Sequence, residues 1–357
     1  MKRFLVIVLV VASLVFSASC GKSKVQTTKK QNSDDAEFSV IVGDVEYSMD
    51  RFNLYFYNAQ DEILKESGYK ESKDIPEDFW DLAVNGVTRL DLAKDEAIEM
   101  LINDAVEYQK AREYNIKLTA DELFSINNQM SMLRQDKVSM AQFDYMGISA
   151  SELEGYYKDE MLIPSLVTEL INEGSIKPNP ESVLEEFASS YVKIRQIFIP
   201  TVDMITGKPF SQENLKAAED KINAALAMLQ SGAEFDDVAD MYTQDYYTQA
   251  YPDGYIITLE DLAIEAEEVA FSLYDEEISP LVTSSEGYHI IKRIPFDLEG
   301  TQENSCLETI EAKFAEPKLK ELVKKWRKET KVKINEKAFE NLKPLITNNQ
   351  AITVKVK

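Results

Sequence analysis

The first apolar feature of the chain is a run from Phe4 to Phe16, behind Lys2 and Arg3 and ahead of "SASC" ending at Cys20. It is shorter than the roughly 20 residues a bilayer span needs. A basic start, a short apolar stretch and small residues after it have the layout of a secretory signal. Residues 21–37, "GKSKVQTTKKQNSDDAE", lose all periodicity and read as a flexible tether. Ordered patterning begins with "FSVIVGDVEYS", an alternating run that turns at Gly43-Asp44 and predicts a short hairpin. Ser48 then caps a helix that Gly68 ends.

From Phe79 to Tyr114 the spacing is helical, with a break at Asn85-Gly86. Leu90, Ala97, Ile98, Leu101, Ile102 and Ala105 lie on its apolar face. "TADE" (Thr119 to Glu122) and "SASE" (Ser149 to Glu152) are capping boxes that each open a further helix, the second running to Gly174. "KPNPE" (Lys177 to Glu181) is a boundary. A short helix follows, and the texture then changes. "YVKIRQIFIP" is a buried strand, "SQENLKAAEDKINAALAMLQSG" a helix and "EFDDVADMY" a short helix. "TQDYYTQAYPDG" is a loop, and "YIIT" a strand. "LEDLAIEAEEVAFSL" is a helical turn or two, and "ISPLVTS" and "GYHIIKRI" are strands. The order β-α-α-β-α-β-β within about a hundred residues predicts a compact α+β domain. Past it the pattern returns to helix, with Pro317 expected to kink or restart it. The stripe Leu307, Ile310, Phe314, Leu319, Leu322 and Trp326 demands a partner. "VKINEK" after that helix is expected to pair with the hairpin near Phe38 to Tyr47.

Charge narrows the function. The formal net charge is −24, with 63 acidic and 39 basic residues. Such a balance opposes nucleic-acid binding and favours solubility. Cys20 and Cys306 are the two cysteines and His289 the one histidine, so no zinc site is expected. The basic stretch Lys318 to Lys333 is expected to face acids of the helical module, among them Glu62, Glu66, Glu71, Asp74, Glu77, Asp78 and Asp81.

His289 lies in "SSEGYHIIKRI", inside a predicted strand, where packing alone would account for it. Its surroundings say more. "VKIRQIFI", "LQSGAEFDDVADMYTQD", "DGYI" and "VAFSLYDEEISPLVTSSEGYHIIK" together resemble a parvulin-type peptidyl-prolyl isomerase, the last block most specifically. The whole layout is similar to bacterial surface foldases of the PrsA and SurA kind. Cys20 resembles the lipid-carrying cysteine of a bacterial lipobox, with Ser17 where a leucine is usual, so cleavage without lipidation stays open.

The resemblance implies a helical module completed by a C-terminal helix, with a parvulin-like domain inserted. The expected segments are 1–20 lipoprotein signal peptide, 21–37 tether, 38–190 N-terminal helical module, 191–296 parvulin-like domain, and 297–357 C-terminal helix and strand. It further implies His289, Gln196 and Asp245 as catalytic residues. Gln196 stands where such a pocket usually has a second histidine, and Asp245 matches the loop cysteine or aspartate. Leu262 and Phe271 match the proline-cradling residues, and Ala266 replaces an aromatic. The loop's Gly-Gly has become Pro252-Asp253 or Asp253-Gly254. No cofactor or metal is implied. Expected partners are unfolded or proline-containing secreted polypeptides, the bilayer through Cys20, and a second copy of the chain. Two functions stay open: an extracytoplasmic peptidyl-prolyl isomerase, and a non-catalytic holdase with a degenerate parvulin domain. For client contact, "FNLYFYN" (Phe52 to Asn58) and "YYTQAYPDGYI" are the candidate stretches.

Overall fold

A computed structural model describes residues 38–70 and 72–348. The signal, tether, Cys20 and Glu71 expectations lie outside the described residues. The chain divides into two compact units: one runs to Lys177 and resumes at Ala315, and the other is Pro178–Phe314.

The first unit is helical with a small sheet. Strands β1 (Val40–Val42) and β2 (Val45–Tyr47) form the expected hairpin, turning through Gly43 at φ +60°. β9 (Val332–Ile334) pairs antiparallel with β1 on its other side, Val40 opposite Ile334, as the pattern predicted. α1 (Met49–Glu66) starts at Ser48, whose Oγ accepts from the Arg51 amide. Phe52, Leu54, Tyr55 and Phe56 of α1 are buried. The "FNLYFYN" stretch is therefore core and not client surface: apolar residues on one helix face find a partner in α2 (Arg89–Glu113), whose Ala97, Leu101 and Ala105 share the same core.

The helical spacing read from Phe79 produces no helix before Arg89. Asn85 and Gly86 both take positive φ, 54° and 86°, and make a tight hairpin turn between β3 (Ala83–Val84) and β4 (Val87–Thr88). Asn-Gly is the dipeptide that tolerates this conformation best, and here it outweighs the helical spacing.

α3 (Ala120–Gln135) begins with the complete capping box read at Thr119 and Glu122. α4 (Lys137–Tyr145) follows. At α5 (Ala150–Glu160) only half of the second box forms. Ser149 Oγ accepts from the Glu152 amide, but the Glu152 carboxylate bonds Arg51 at 2.6 Å instead of returning to the cap. The buried Arg51 guanidinium holds both Glu152 and Asp159, and a charge-assisted bond of this kind outweighs a cap. The helix expected to reach Gly174 stops at Glu160, and α6 (Leu162–Asn172) is separate.

Within the second unit, α7 (Pro180–Ser190) is capped by Asn179 with Pro180 in its first turn. β5 (Val192–Pro200) is followed by α8 (Gln212–Gln230), α9 (Phe235–Tyr242) and α10 (Tyr246–Ala250). Then come β6 (Tyr255–Ile257), α11 (Ile264–Ser272), β7 (Val282–Thr283) and β8 (Gly287–Ile294). The sheet is antiparallel in the order β6-β5-β8-β7. Ile197 and Ile199 of β5 and Ile290 of β8 pack against α8 and α9. The alternate residues, Ile194 of β5 and Ile291 of β8, face α11 with Ala266 and Ala270. A buried strand with two covered faces explains the near-continuous apolar run of β5.

α12 (Thr301–Glu329) is unbroken, so Pro317 neither ends nor restarts it. Pro317 is exposed, and the helix has apolar support on both sides of it. Ile310 packs with Val183 and Phe187 in the second unit, while Ala315, Leu319 and Val323 belong to the core of the first. Within the first unit the ion pair that forms links Arg327 to Glu99 of α2, rather than to the acids anticipated.

Candidate functional site

β5 carries Ile194, Gln196 and Phe198 on the face toward α11, and β8 brings His289 and Ile291 to the same face. Phe198 and His289 are directly opposed in the register, and their rings stack at 4.7 Å. Gln196, opposite Ile291, is the diagonal neighbour of His289, within reach of a long side chain. His289 Nδ1 lies 2.9 Å from Gln196 Oε1. The strands can approach this closely at their other end because Gly287 has no side chain: a Cβ there would stand 2.3 Å from the Ile199 carbonyl oxygen.

The pair belongs to a longer chain of polar groups. His289 Nε2 is 2.8 Å from Ser284 Oγ. Gln196 Nε2 donates to the Tyr255 hydroxyl at 2.8 Å. The Asp245 charge lies near enough to act on the Tyr255 phenol, and Thr248 Oγ1 accepts from the Gln196 backbone amide. Asp245 also caps α10, accepting from the Thr248 amide at 2.8 Å, so the segment read as a loop contains a short helix. Thr243 Oγ1 donates to the Gln196 carbonyl and receives the amides of Phe198 and Asp245. Gln196, His289, Asp245, Tyr255, Thr243 and Thr248 are all buried.

Burial sets the electrostatics. Desolvation lowers the His289 pKa from 6.5 to about 4, against the raising influence of the Asp245 and Glu265 charges. The imidazole is therefore neutral at physiological pH. Tyr255 is held far above the usual phenol range, by burial first and then by the neighbouring Asp245 charge.

The apolar residues named from the sequence lie beside this network. Leu262 and Phe271 are partly buried against the cluster formed by Ile194, Tyr255, Ile257 and Ala266. Ala266 itself has no exposed surface, so its methyl presents nothing to a ligand. A phenylalanine there would have to displace its packing neighbours, at a typical cost of about 1–3 kcal/mol. Beyond them Tyr246 (73 % exposed) and Tyr247 (56 %) stand on α10, and the Tyr247 ring meets that of Tyr255 at 5.4 Å.

The structure thus joins His289 and Gln196 directly and brings Asp245 near them through Thr243, whose Oγ1 takes the Asp245 amide and donates to the Gln196 carbonyl. Ser284, Tyr255, Thr243 and Thr248 were missed by sequence reasoning. Thr243 and Thr248 flank Asp245 at spacings where hydroxyls bond nearby backbone, which was a usable signal. Tyr255 had none, since strand tyrosines are usually packing residues. Among the described residues no cluster of His, Cys, Asp and Glu has the makings of a metal site.

Residues 197–295 match the model of the rotamase family, the PPIC-type PPIase domain. The second unit therefore carries a parvulin-type domain. The chain also resembles a known foldase beyond this domain. It is 25% identical over 317 residues to the foldase protein PrsA of Caldanaerobacter subterraneus subsp. tengcongensis, covering 85% of this chain and 90% of that one. Among solved structures it is similar to PrsA from Bacillus subtilis, with 18% identity, TM-score 0.37, and coverage of 76% of this chain and 98% of that. PrsA from Lactococcus lactis is also similar, with 12% identity, TM-score 0.40, and coverage of 85% and 97%.

Proposed function

We propose that this protein is an extracytoplasmic foldase that catalyses cis–trans isomerisation of X-Pro bonds in secreted polypeptides. The observation that carries this reading is the neutral, fully bonded His289–Gln196 pair on adjacent strands, set beside Leu262 and Phe271. Rotation about a peptide bond meets a barrier of about 18–20 kcal/mol and breaks no bond. A catalyst therefore needs no cofactor. It needs an apolar seat for the pyrrolidine ring and dipoles that favour the twisted amide over both planar forms. A thousandfold acceleration takes only about 4 kcal/mol.

In this role Leu262 and Phe271 seat the ring. His289 and Gln196 are too deeply buried to clasp a chain, so they act by fixing the local field and the shape of the site floor. Asp245, by capping α10, holds the segment beside that floor in place. A chromogenic or NMR exchange assay on an X-Pro peptide tests the reading. The protein should accelerate exchange, and His289→Ala should remove most of the acceleration while the fold persists. Exchange at the uncatalysed rate would overturn it.

A second reading, a holdase that binds clients without isomerising them, is favoured by one observation. Tyr246, Tyr247 and Tyr251 form an exposed aromatic group next to the site. Exposed tyrosines supply contact area at low entropic cost. If Tyr246→Ala/Tyr247→Ala weakens suppression of client aggregation while the exchange rate on a short peptide holds, the two roles are separable.

The proposal includes surface anchoring through Cys20. It is supported by the N-terminal signal pattern and by the absence, among the described residues, of any helix long and apolar enough to cross a membrane. Replacing Cys20 with serine should release the protein or leave an unprocessed precursor. Unchanged membrane association with normal processing would refute the anchor.

A further inference from the structure

The charge of α12 changes character in its last turns. Lys318 and Lys320 pair with Glu321 and Glu316 of the same helix, and Arg327 pairs with Glu99 of α2. Lys324, Lys325 and Lys328 are exposed, as are Lys331, Lys333 and Lys337 beyond the helix. Among the described residues none of these six is in an ion pair. From Lys324 to Lys337 the chain has seven basic and two acidic residues, within a protein of net charge −24. Those two acids, Glu329 and Glu336, and the nearby Asp44 and Glu46 of the β1–β2 hairpin point to solvent and bind none of these lysines.

Edge strands commonly carry lysine to discourage pairing with other chains. β9 is an edge strand, so this accounts for Lys333. It does not account for Lys324, Lys325 and Lys328, which lie on a helix. The position of the patch in the chain supplies the missing reason. The Gly43 amide donates to the Lys331 carbonyl and the Asn335 amide to that of Ser39, so the basic segment runs along β1. Phe38, the first described residue, lies against it. Asn335 Nδ2 donates to the Phe38 carbonyl at 2.8 Å, and the Lys333 ammonium stands 5.0 Å from the centre of the Phe38 ring. The N-terminal segment therefore joins the first unit at the basic edge. Seventeen residues separate Cys20 from Phe38. Even fully extended they span only about 60 Å.

We propose that the exposed lysines of β9 and the end of α12 form a docking surface for the anionic headgroups of a lipid bilayer. The inference rests on the reading that Cys20 anchors the chain, and adds to that anchor a second contact which orients the first unit. Tethering keeps the patch at high local concentration beside the membrane, so a weak attraction is enough. Lysine suits the task, being a compact hydrated charge that meets phosphates without a fixed geometry. The acidic remainder of the surface is repelled by the same headgroups, which confines contact to this edge.

Sedimentation with vesicles tests the proposal, using the chain from Gly21, which keeps every described residue and carries no lipid. At low ionic strength it should bind vesicles of equal parts phosphatidylglycerol and phosphatidylcholine. It should ignore phosphatidylcholine alone, and salt should weaken the binding. Each charge removed near such a surface costs about fivefold in affinity. Lys331→Gln/Lys333→Gln/Lys337→Gln should therefore weaken binding about a hundredfold. Lys324→Gln/Lys328→Gln, which leaves the strand untouched, should weaken it about 25-fold. Lys65→Gln/Lys208→Gln/Lys216→Gln removes three exposed charges elsewhere and should change nothing. No binding to the anionic vesicles overturns the proposal, as do equal losses in the patch and control variants. So does binding that depends only on Lys22, Lys24, Lys29 and Lys30 of the N-terminal segment, or retention by polyphosphate without binding to vesicles. The anchor is judged separately. A chain that binds vesicles through the patch but is not held through Cys20 sinks the anchor and leaves the patch; an anchored chain whose patch variants bind as wild type does the reverse.

Discussion

His289 has a consequence for stability that follows from its burial. The unfolded chain binds a proton at this residue near pH 6.5, and the folded chain only near pH 4. Between those values the unfolded state holds more protons, so acid favours unfolding. Its contribution is complete above pH 6.5 and is lost as the pH falls toward 4. A shift of this size is worth about 3 kcal/mol over the whole window. Urea denaturation at pH 7 and pH 4.5 should show a stability difference that shrinks by about 2–3 kcal/mol in His289→Gln. An unchanged difference would mean that His289 is not desolvated in solution. Catalysed exchange, by contrast, should be flat from pH 6 to 8, since the imidazole is already neutral throughout. The residue pattern announced His289, Gln196 and Asp245 through their setting in recognisable stretches. It was silent on Tyr255 and Ser284, because a hydroxyl acquires this role only from its position after folding.

At the scale of elements, local signals and tertiary demands compete. Thr119 and Glu122 close their capping box because nothing else claims Glu122, whereas Arg51 takes Glu152 away from Ser149. Asn85-Gly86 was recognised as a break but not as a hairpin, since two-residue strands carry too little alternation to register. Pro317 shows the opposite balance. Its ring removes a donor from the helix interior and should break α12, yet the helix continues through it. Apolar packing at Ile310 on one side and at Leu319 and Val323 on the other holds both arms. Pro317→Ala should therefore stabilise the protein, by about 1–3 kcal/mol from restored backbone bonding and propensity. A thermal melt checks it. A lowered Tm would show that the proline is accommodated without strain or is needed in the packing.

For the whole molecule, the question is where the parvulin-type unit ends. The family resemblance placed its segment at 191–296, with a texture boundary at Lys177–Glu181, while the compact unit spans Pro178–Phe314. The difference has a physical core. Lys193 on β5 is buried and pairs with Glu303 at 2.8 Å, with both side chains under 10 % exposed. Gln302 receives the Ile256 amide and donates to the Gly254 carbonyl, securing β6. A fragment ending at Phe296 loses all of these. Breaking one partner of a buried pair typically costs about 3–5 kcal/mol. A 178–314 fragment should thus fold cooperatively in urea, and a 191–296 fragment should be far less stable or unfolded. Equal midpoints would show that α12 adds nothing to this unit. For the same reason, cutting the full chain at Phe296 should weaken both units: the first also loses Leu319, Val323 and the β9 strand.

Periodicity, capping residues and turn dipeptides are local, and the sequence by itself determined what depends on them. That includes most helices, the strands of the second unit, the hairpin at Gly43, and the pairing of β9 with β1, where two short apolar runs each lacked a partner. Three candidate site residues were legible only through the resemblance of the stretches that hold them to a known family. Only the tertiary structure decided which partner won where one group had two suitors, as with Glu152. It alone carried α12 through a proline by packing its two arms. It alone extended the second unit past Phe296, where a buried ion pair joins residues 110 positions apart. It also brought Asp245 to Gln196 through the Thr243 hydroxyl, and Gln196 to His289. Those outcomes depend on desolvation and on distances across the fold, and neither quantity exists until the chain has collapsed.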